Sequence, residues 1–211
     1  MWAICYHTMY MNVNFIFSIA ILIMSVVIHE MSHGFAAEAL GDPTPRLQGR
    51  LTLNPLKHLD WFGSVILPTI SYMMGGVIFG WAKPVMINPY NLRGGRWGEA
   101  MVAIAGPISN IVLAIIFSQL IRFSSSLQLS QSFVTFSFTI VMVNLILAIF
   151  NLIPIPPLDG SKILYALLPQ HQVMKVRGFF DQYGMIIVIF FLVFLGSVLS
   201  PVVNFFLKIL I

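Results

Sequence analysis

Charge is what this sequence has least of. Only 9% of its 211 residues are Asp, Glu, Lys or Arg, against roughly 25% in an ordinary soluble domain. The chain therefore lacks the polar surface that a globule in water requires. Cysteine is nearly absent as well. The single Cys5 excludes an internal disulfide framework, a cysteine-rich zinc module and an iron–sulfur cluster held by this chain's own thiolates. No internal repeat and no low-complexity stretch is visible. What is abundant is apolar: 58% of the residues are hydrophobic and the mean hydropathy is +0.91. That is the composition of an integral membrane protein, and the length suits a single domain, residues 1–211. The excess of 11 Lys+Arg over 7 Asp+Glu reads as membrane topology rather than nucleic-acid binding.

The apolar runs predict an all-α polytopic protein with about four full transmembrane helices, over residues 12–40, 99–122, 133–153 and 185–207. Residues 1–13 carry no Lys or Arg, which favours a retained span over a cleaved signal peptide. Gly41-Asp42-Pro43 closes the first helix. Residues 61–79 are apolar but broken by Gly63, Pro68, Gly75 and Gly76, the mark of a short or re-entrant segment. Leu47, Leu51 and Leu53 recur at strand parity. They suggest a small membrane-embedded β-hairpin of Arg46–Asn54 with Pro84–Asn88.

Chemistry enters with His29-Glu30-Met31-Ser32-His33, inside the first span. Histidines at i and i+4 share one helical face, and Glu30 lies beside them. Neutral imidazoles suit Zn²⁺, and a carboxylate next to the ion can take a proton from its water. Chance accounts poorly for the pattern, since this composition gives roughly 0.002 expected matches. Three ionisable groups within five residues of a span are costly to bury and point to function. Two imidazoles make an incomplete site. His58, Asp60, Asp159, His171 and Asp181 are the candidates for a third ligand. Asp159 stands out because it follows a span within the Pro-rich, non-helical stretch 154–160.

Together, His29-Glu30-x-x-His33 and Asn151-x-x-Pro154-x-x-x-x-Asp159-Gly160 resemble the motifs of the site-2 protease family of intramembrane zinc metalloproteases. Asn54-Pro55-x-x-His58-x-Asp60, Gly80-Trp81-Ala82-Lys83-Pro84-Val85 and Ala105-Gly106-Pro107-x-Ser109-Asn110 are similar to motifs of its short bacterial branch, which carries no PDZ or CBS domain. The resemblance implies one Zn²⁺ per chain on His29, His33 and Asp159, with Glu30 as general base. It also implies a role for Asn151 in substrate orientation or oxyanion stabilisation. The substrate would be a membrane protein cut within or next to a transmembrane segment. A catalytically silent, chaperone-like zinc relative and a metal transporter are the alternatives. Glu30 argues against the first, and the lack of two repeated halves against the second. Gly106, Ser109 and Asn110 read as helix-packing residues, and Asn144 as an interhelical hydrogen-bonding residue.

Placing both metal-binding motifs on one side requires the first and third long helices to run parallel, with the second opposed. That side then collects Arg46, Arg50, Lys57, Lys83, Arg93, Arg96, Lys162, Lys175 and Arg177, leaving Arg122 and Lys208 on the other. The positive-inside rule makes the basic side cytoplasmic, in the plasma membrane, with the active site facing the cytosol.

Overall fold

The computed structural model describes residues 2–4, 15–66, 70, 78–80, 83–193 and 195–211. Helix α1 spans Phe15–Ala39 and is followed by a single turn, α2, at Thr44–Leu47. Helices α3 (Arg96–Arg122) and α4 (Gln131–Asn151) form a hairpin, and α5 (Gly160–Leu167), α6 (Gln170–Val193) and α7 (Leu195–Leu210) complete the order.

The packing is that of a protein in lipid. On α3 most buried positions are small or polar, among them Gly98, Ala103, Gly106, Asn110 and Ala114. Its exposed side carries Met101, Ile104, Ile108, Val112 and Ile115 at helical spacing. Small residues let helices approach closely, and large aliphatic side chains face a solvent as apolar as themselves. Three described helices are long and apolar enough to cross a membrane: Phe17–Ala39, Arg96–Arg122 and Gln131–Asn151. The chain is thus an integral membrane protein by these helices.

Contacts set the helix directions. Asn110 of α3 meets Ser25 and His29 of α1, while Val102 meets His33. Since 110 pairs with 25–29 and 102 with 33, α3 is antiparallel to α1. Asn144 of α4 lies level with Ser25, and Asp159, beyond the end of α4, lies level with His29 and His33. Helix α4 therefore runs parallel to α1.

Two expected features take a different form. The helix entering the last expected span begins earlier than expected, at Gln170, and helical residues run to Val193 and again from Leu195 to Leu210, residue 194 lying outside the described residues. The expected hairpin is also not formed, because Thr44–Leu47 is helical and Gly49 turns the chain at φ +63°. Asp42 starts that turn by accepting from the Thr44 amide (3.1 Å) and hydroxyl (2.5 Å), and Pro45 suits the first turn of a helix. Among the described residues the one strand pair is antiparallel, β1 (Trp2–Ile4) with β2 (Ile78–Gly80). Within the expected re-entrant segment, Trp61–Ile66 is a π-helical stretch, and residues 67–69 and 71–77 lie outside the described residues.

Candidate metal centre

Helix α1 ends in a Schellman arrangement. The Asp42 amide donates to Ala37 O (2.9 Å) and the Gly41 amide to Glu38 O (3.0 Å), with Gly41 at φ +106°. The buried Asp42 carboxylate then accepts from the Asn88 amide (2.7 Å) and from Asn91 Nδ2 (3.0 Å). Burial disfavours its charge. Hydrogen bonds from Thr44, Asn91 and Asn88 outweigh that and hold its pKa below the ordinary carboxylate value. Residues 83–92 are thereby strapped along the second half of α1. Val85 packs against Gly34, and its amide donates to Glu30 Oε2 at 2.9 Å.

Asp159 reaches the same level by another device. The chain leaves α4 at Asn151 and folds back so tightly that a Cβ on Gly160 would lie 2.3 Å from Leu152 O. Only glycine fits there. Asp159 opens α5 without capping it, so its carboxylate is free to point into the bundle.

The three side chains converge. His29 Nε2 and His33 Nε2 are 3.0 Å apart, and Asp159 Oδ2 is 3.2 Å from the first and 3.1 Å from the second. All three residues are buried, at 1%, 6% and 8% exposure. The other ring nitrogens are already engaged: His33 Nδ1 contacts Val102 O at 2.7 Å and His29 Nδ1 contacts Asn110 Oδ1 at 2.6 Å. A carbonyl oxygen only accepts, so each Nδ1 donates, and each neutral ring turns its Nε2 lone pair inward. Two lone pairs and a carboxylate oxygen facing one another at this distance repel unless a cation lies among them. The donor set of two imidazoles and a carboxylate is one that zinc takes in open catalytic sites. Helix α3 leaves room for it. A Cβ on Gly106 would stand 2.5 Å from His33 Nε2 and 2.6 Å from His29 Nε2. The residues fit the metal.

The chain matches Peptidase family M50 over residues 17–135 and 119–195. It belongs to that family. Over 191 residues it is 38% identical to "Putative zinc metalloprotease YwhC" of Bacillus subtilis, covering 87% of this chain and 84% of that protein. It is 32% identical over 185 residues to "Putative zinc metalloprotease Rip2" of Mycolicibacterium smegmatis, covering 85% and 67%. To "Zinc metalloprotease MJ0392" of Methanocaldococcus jannaschii it is 27% identical over 148 residues, covering 70% and 33%. No solved structure matches. As an M50 peptidase with apolar spanning helices, the chain is an intramembrane zinc metalloprotease.

The remaining sequence candidates sit elsewhere. His58 is buried, with Nε2 donating to Thr52 O at 2.9 Å and Nδ1 without a partner among the described residues. Asp60 accepts from the Gly63 amide at 3.0 Å, and His171 and Asp181 are exposed. None of these joins the converging group. Asn151 is buried at the end of α4, and its Nδ2 donates to Leu147 O at 2.8 Å. Two contacts of the centre were missed from sequence. Asn110 touches His29, where packing alone was expected. Lys162 Nζ lies 3.8 Å from Asp159 Oδ1. The signal for Asn110 was an amide in mid-span, which needs a partner in lipid. For Lys162 it was the i,i+3 spacing from Asp159.

Proposed function

We propose that residues 1–211 are one membrane-embedded metalloprotease domain that binds one Zn²⁺ through His29 Nε2, His33 Nε2 and Asp159 and hydrolyses a peptide bond within or next to a substrate's transmembrane segment. The observation that carries this is the meeting of two inward lone pairs and a buried carboxylate at 3.0–3.2 Å. When bound, zinc supplies Lewis-acid polarisation of the scissile carbonyl and a more acidic water. Glu30 is the general base: it takes the proton from the attacking water and delivers it to the leaving amine. The Val85 amide holds its carboxylate in place before substrate arrives. Asn151 uses one N–H on Leu147, and its second amide proton orients the substrate carbonyl. Burial excludes bulk water, so these charges act in a low dielectric.

The basic residues of the loops that flank the ligand-bearing helix ends support a cytosolic opening of the site, in the plasma membrane. Metal analysis together with cleavage of a single-span model substrate tests the mechanism. Glu30→Gln retains zinc and loses cleavage, whereas His29→Ala and Asp159→Ala lose both. Wild-type cleavage by Glu30→Gln overturns the mechanism.

A further inference from the structure

We propose that Asn110 and Asn144 are positioning residues that fix the tautomer of His29, keeping its Nε2 lone pair turned toward the metal. The inference rests on the zinc-site reading and extends it to residues away from the ion.

The direction of the network is set by groups that cannot reverse. Asn144 contacts Ile140 O at 2.9 Å and Ser25 Oγ at 3.0 Å through the same atom. A main-chain carbonyl only accepts, so that atom is the amide nitrogen. Asn144 Oδ1 therefore faces Asn110, and the Asn110 atom 2.7 Å away must donate. The Ser25 carbonyl, 3.4 Å from the same Asn110 atom, demands a donor there too. Asn110 is thus left presenting Oδ1 to His29 Nδ1 at 2.6 Å. His29 must donate from Nδ1, and its proton is excluded from Nε2.

The opposite polarity fails at each step. It would set Asn144 Oδ1 against Ile140 O and Asn110 Oδ1 against Ser25 O. His29 would then carry its proton on Nε2, aimed at His33 and Asp159, where the cation belongs. Asn110 and Asn144 are both fully buried, so water is not at hand to repair a reversed contact. His33 needs no such relay, because Val102 O, a backbone acceptor, faces its Nδ1 directly. The centre therefore orients one imidazole by main chain and the other through two side-chain amides. Those amides bring α3 and α4 into the definition of a ligand carried on α1.

The experiment measures Zn²⁺ affinity of the purified 211-residue chain by chelator competition, with the visible spectrum of the Co²⁺-loaded form and unfolding of the metal-free form alongside. Asn110→Leu should weaken Zn²⁺ binding by roughly 10–100-fold, the usual cost of losing a group that orients a metal-binding histidine. Asn144→Leu, which leaves every group touching His29 in place, should weaken it severalfold. Asn110→Asp keeps an acceptor against His29 Nδ1 whichever way its carboxyl turns. It gives up the donor that Asn144 Oδ1 and the Ser25 carbonyl face, a loss read in the unfolding of the metal-free form. It should restore affinity to within a fewfold of the unsubstituted chain and abolish any further effect of Asn144→Leu. Ser137→Ala, which removes a buried α4 hydroxyl that has no partner among the described residues, should change nothing. Unaltered Zn²⁺ affinity and Co²⁺ spectrum in Asn144→Leu would overturn the relay, as would equal losses in Asn110→Asp and Asn110→Leu. If Asn110→Leu does not fold, Asn144→Leu and Asn110→Asp decide alone. Failure of the unsubstituted chain to bind Zn²⁺ would instead overturn the functional reading itself.

Discussion

The Val85 amide donates to Glu30 Oε2 at 2.9 Å across 55 residues of sequence. A backbone donor thus holds the residue assigned as general base. Val85→Pro removes that donor, and Val85→Ala keeps it. Val85→Pro should lower kcat by about tenfold or more, the scale expected when a reacting group is slightly misplaced. Zinc content should stay the same, and Val85→Ala should retain most of its activity. Equal losses in both variants would assign the effect to side-chain packing on Gly34.

Gly106 gives a steric prediction. Its missing Cβ leaves the space beside both Nε2 atoms, and a methyl group there would stand 2.5 Å from His33 Nε2. Both rings are tethered at Nδ1 and cannot retreat freely. Gly106→Ala should therefore bind zinc at least about tenfold more weakly. Competition against a colorimetric chelator reads this, and wild-type affinity would show that the rings move aside.

Asp42 gives a pH prediction outside the membrane spans. Its folded pKa lies below the unfolded value, so its stabilising effect is complete above about pH 4 and is lost as pH falls through the folded pKa. Protection factors of residues 83–92, which correct for the intrinsic pH dependence of hydrogen exchange, should be unchanged between about pH 7 and 5 and fall only below about 4. Asp42→Asn turns one acceptor into a donor facing N–H groups and should loosen the strap by roughly 1–3 kcal/mol at neutral pH.

Topology is tested by labelling. Single cysteines at Ser125 and at Arg93, both exposed, in a Cys5→Ser background should react with impermeant maleimide from outside and inside the cell respectively. Outside labelling at position 93 would reverse the assigned orientation.

The legible part of this protein was the part encoded within one helix. His29, Glu30 and His33 declare themselves because 3.6 residues per turn places i and i+4 on one face. Asp159 was visible as a carboxylate in a stretch that proline keeps non-helical. Asn110 was not legible, since its meaning depends on α3 packing antiparallel to α1, 81 residues away. Leucine parity over 47–53 misled because a side-chain acceptor, Asp42, and a helix-starting proline act before alternation does. The start of α6 at Gln170 was invisible to hydropathy, because the residues that open it are polar yet good helix formers.

The two histidines proposed as ligands on α1 lie 130 and 126 residues upstream of the aspartate proposed to complete the set. During synthesis the two histidines enter the bilayer long before Asp159 leaves the ribosome. Until α4 has been inserted and docked, the nascent chain has two imidazoles and no carboxylate opposite them. The enzyme is therefore inert through most of its own biogenesis. Its capacity to cut begins only when the bundle that restrains that capacity has closed around it.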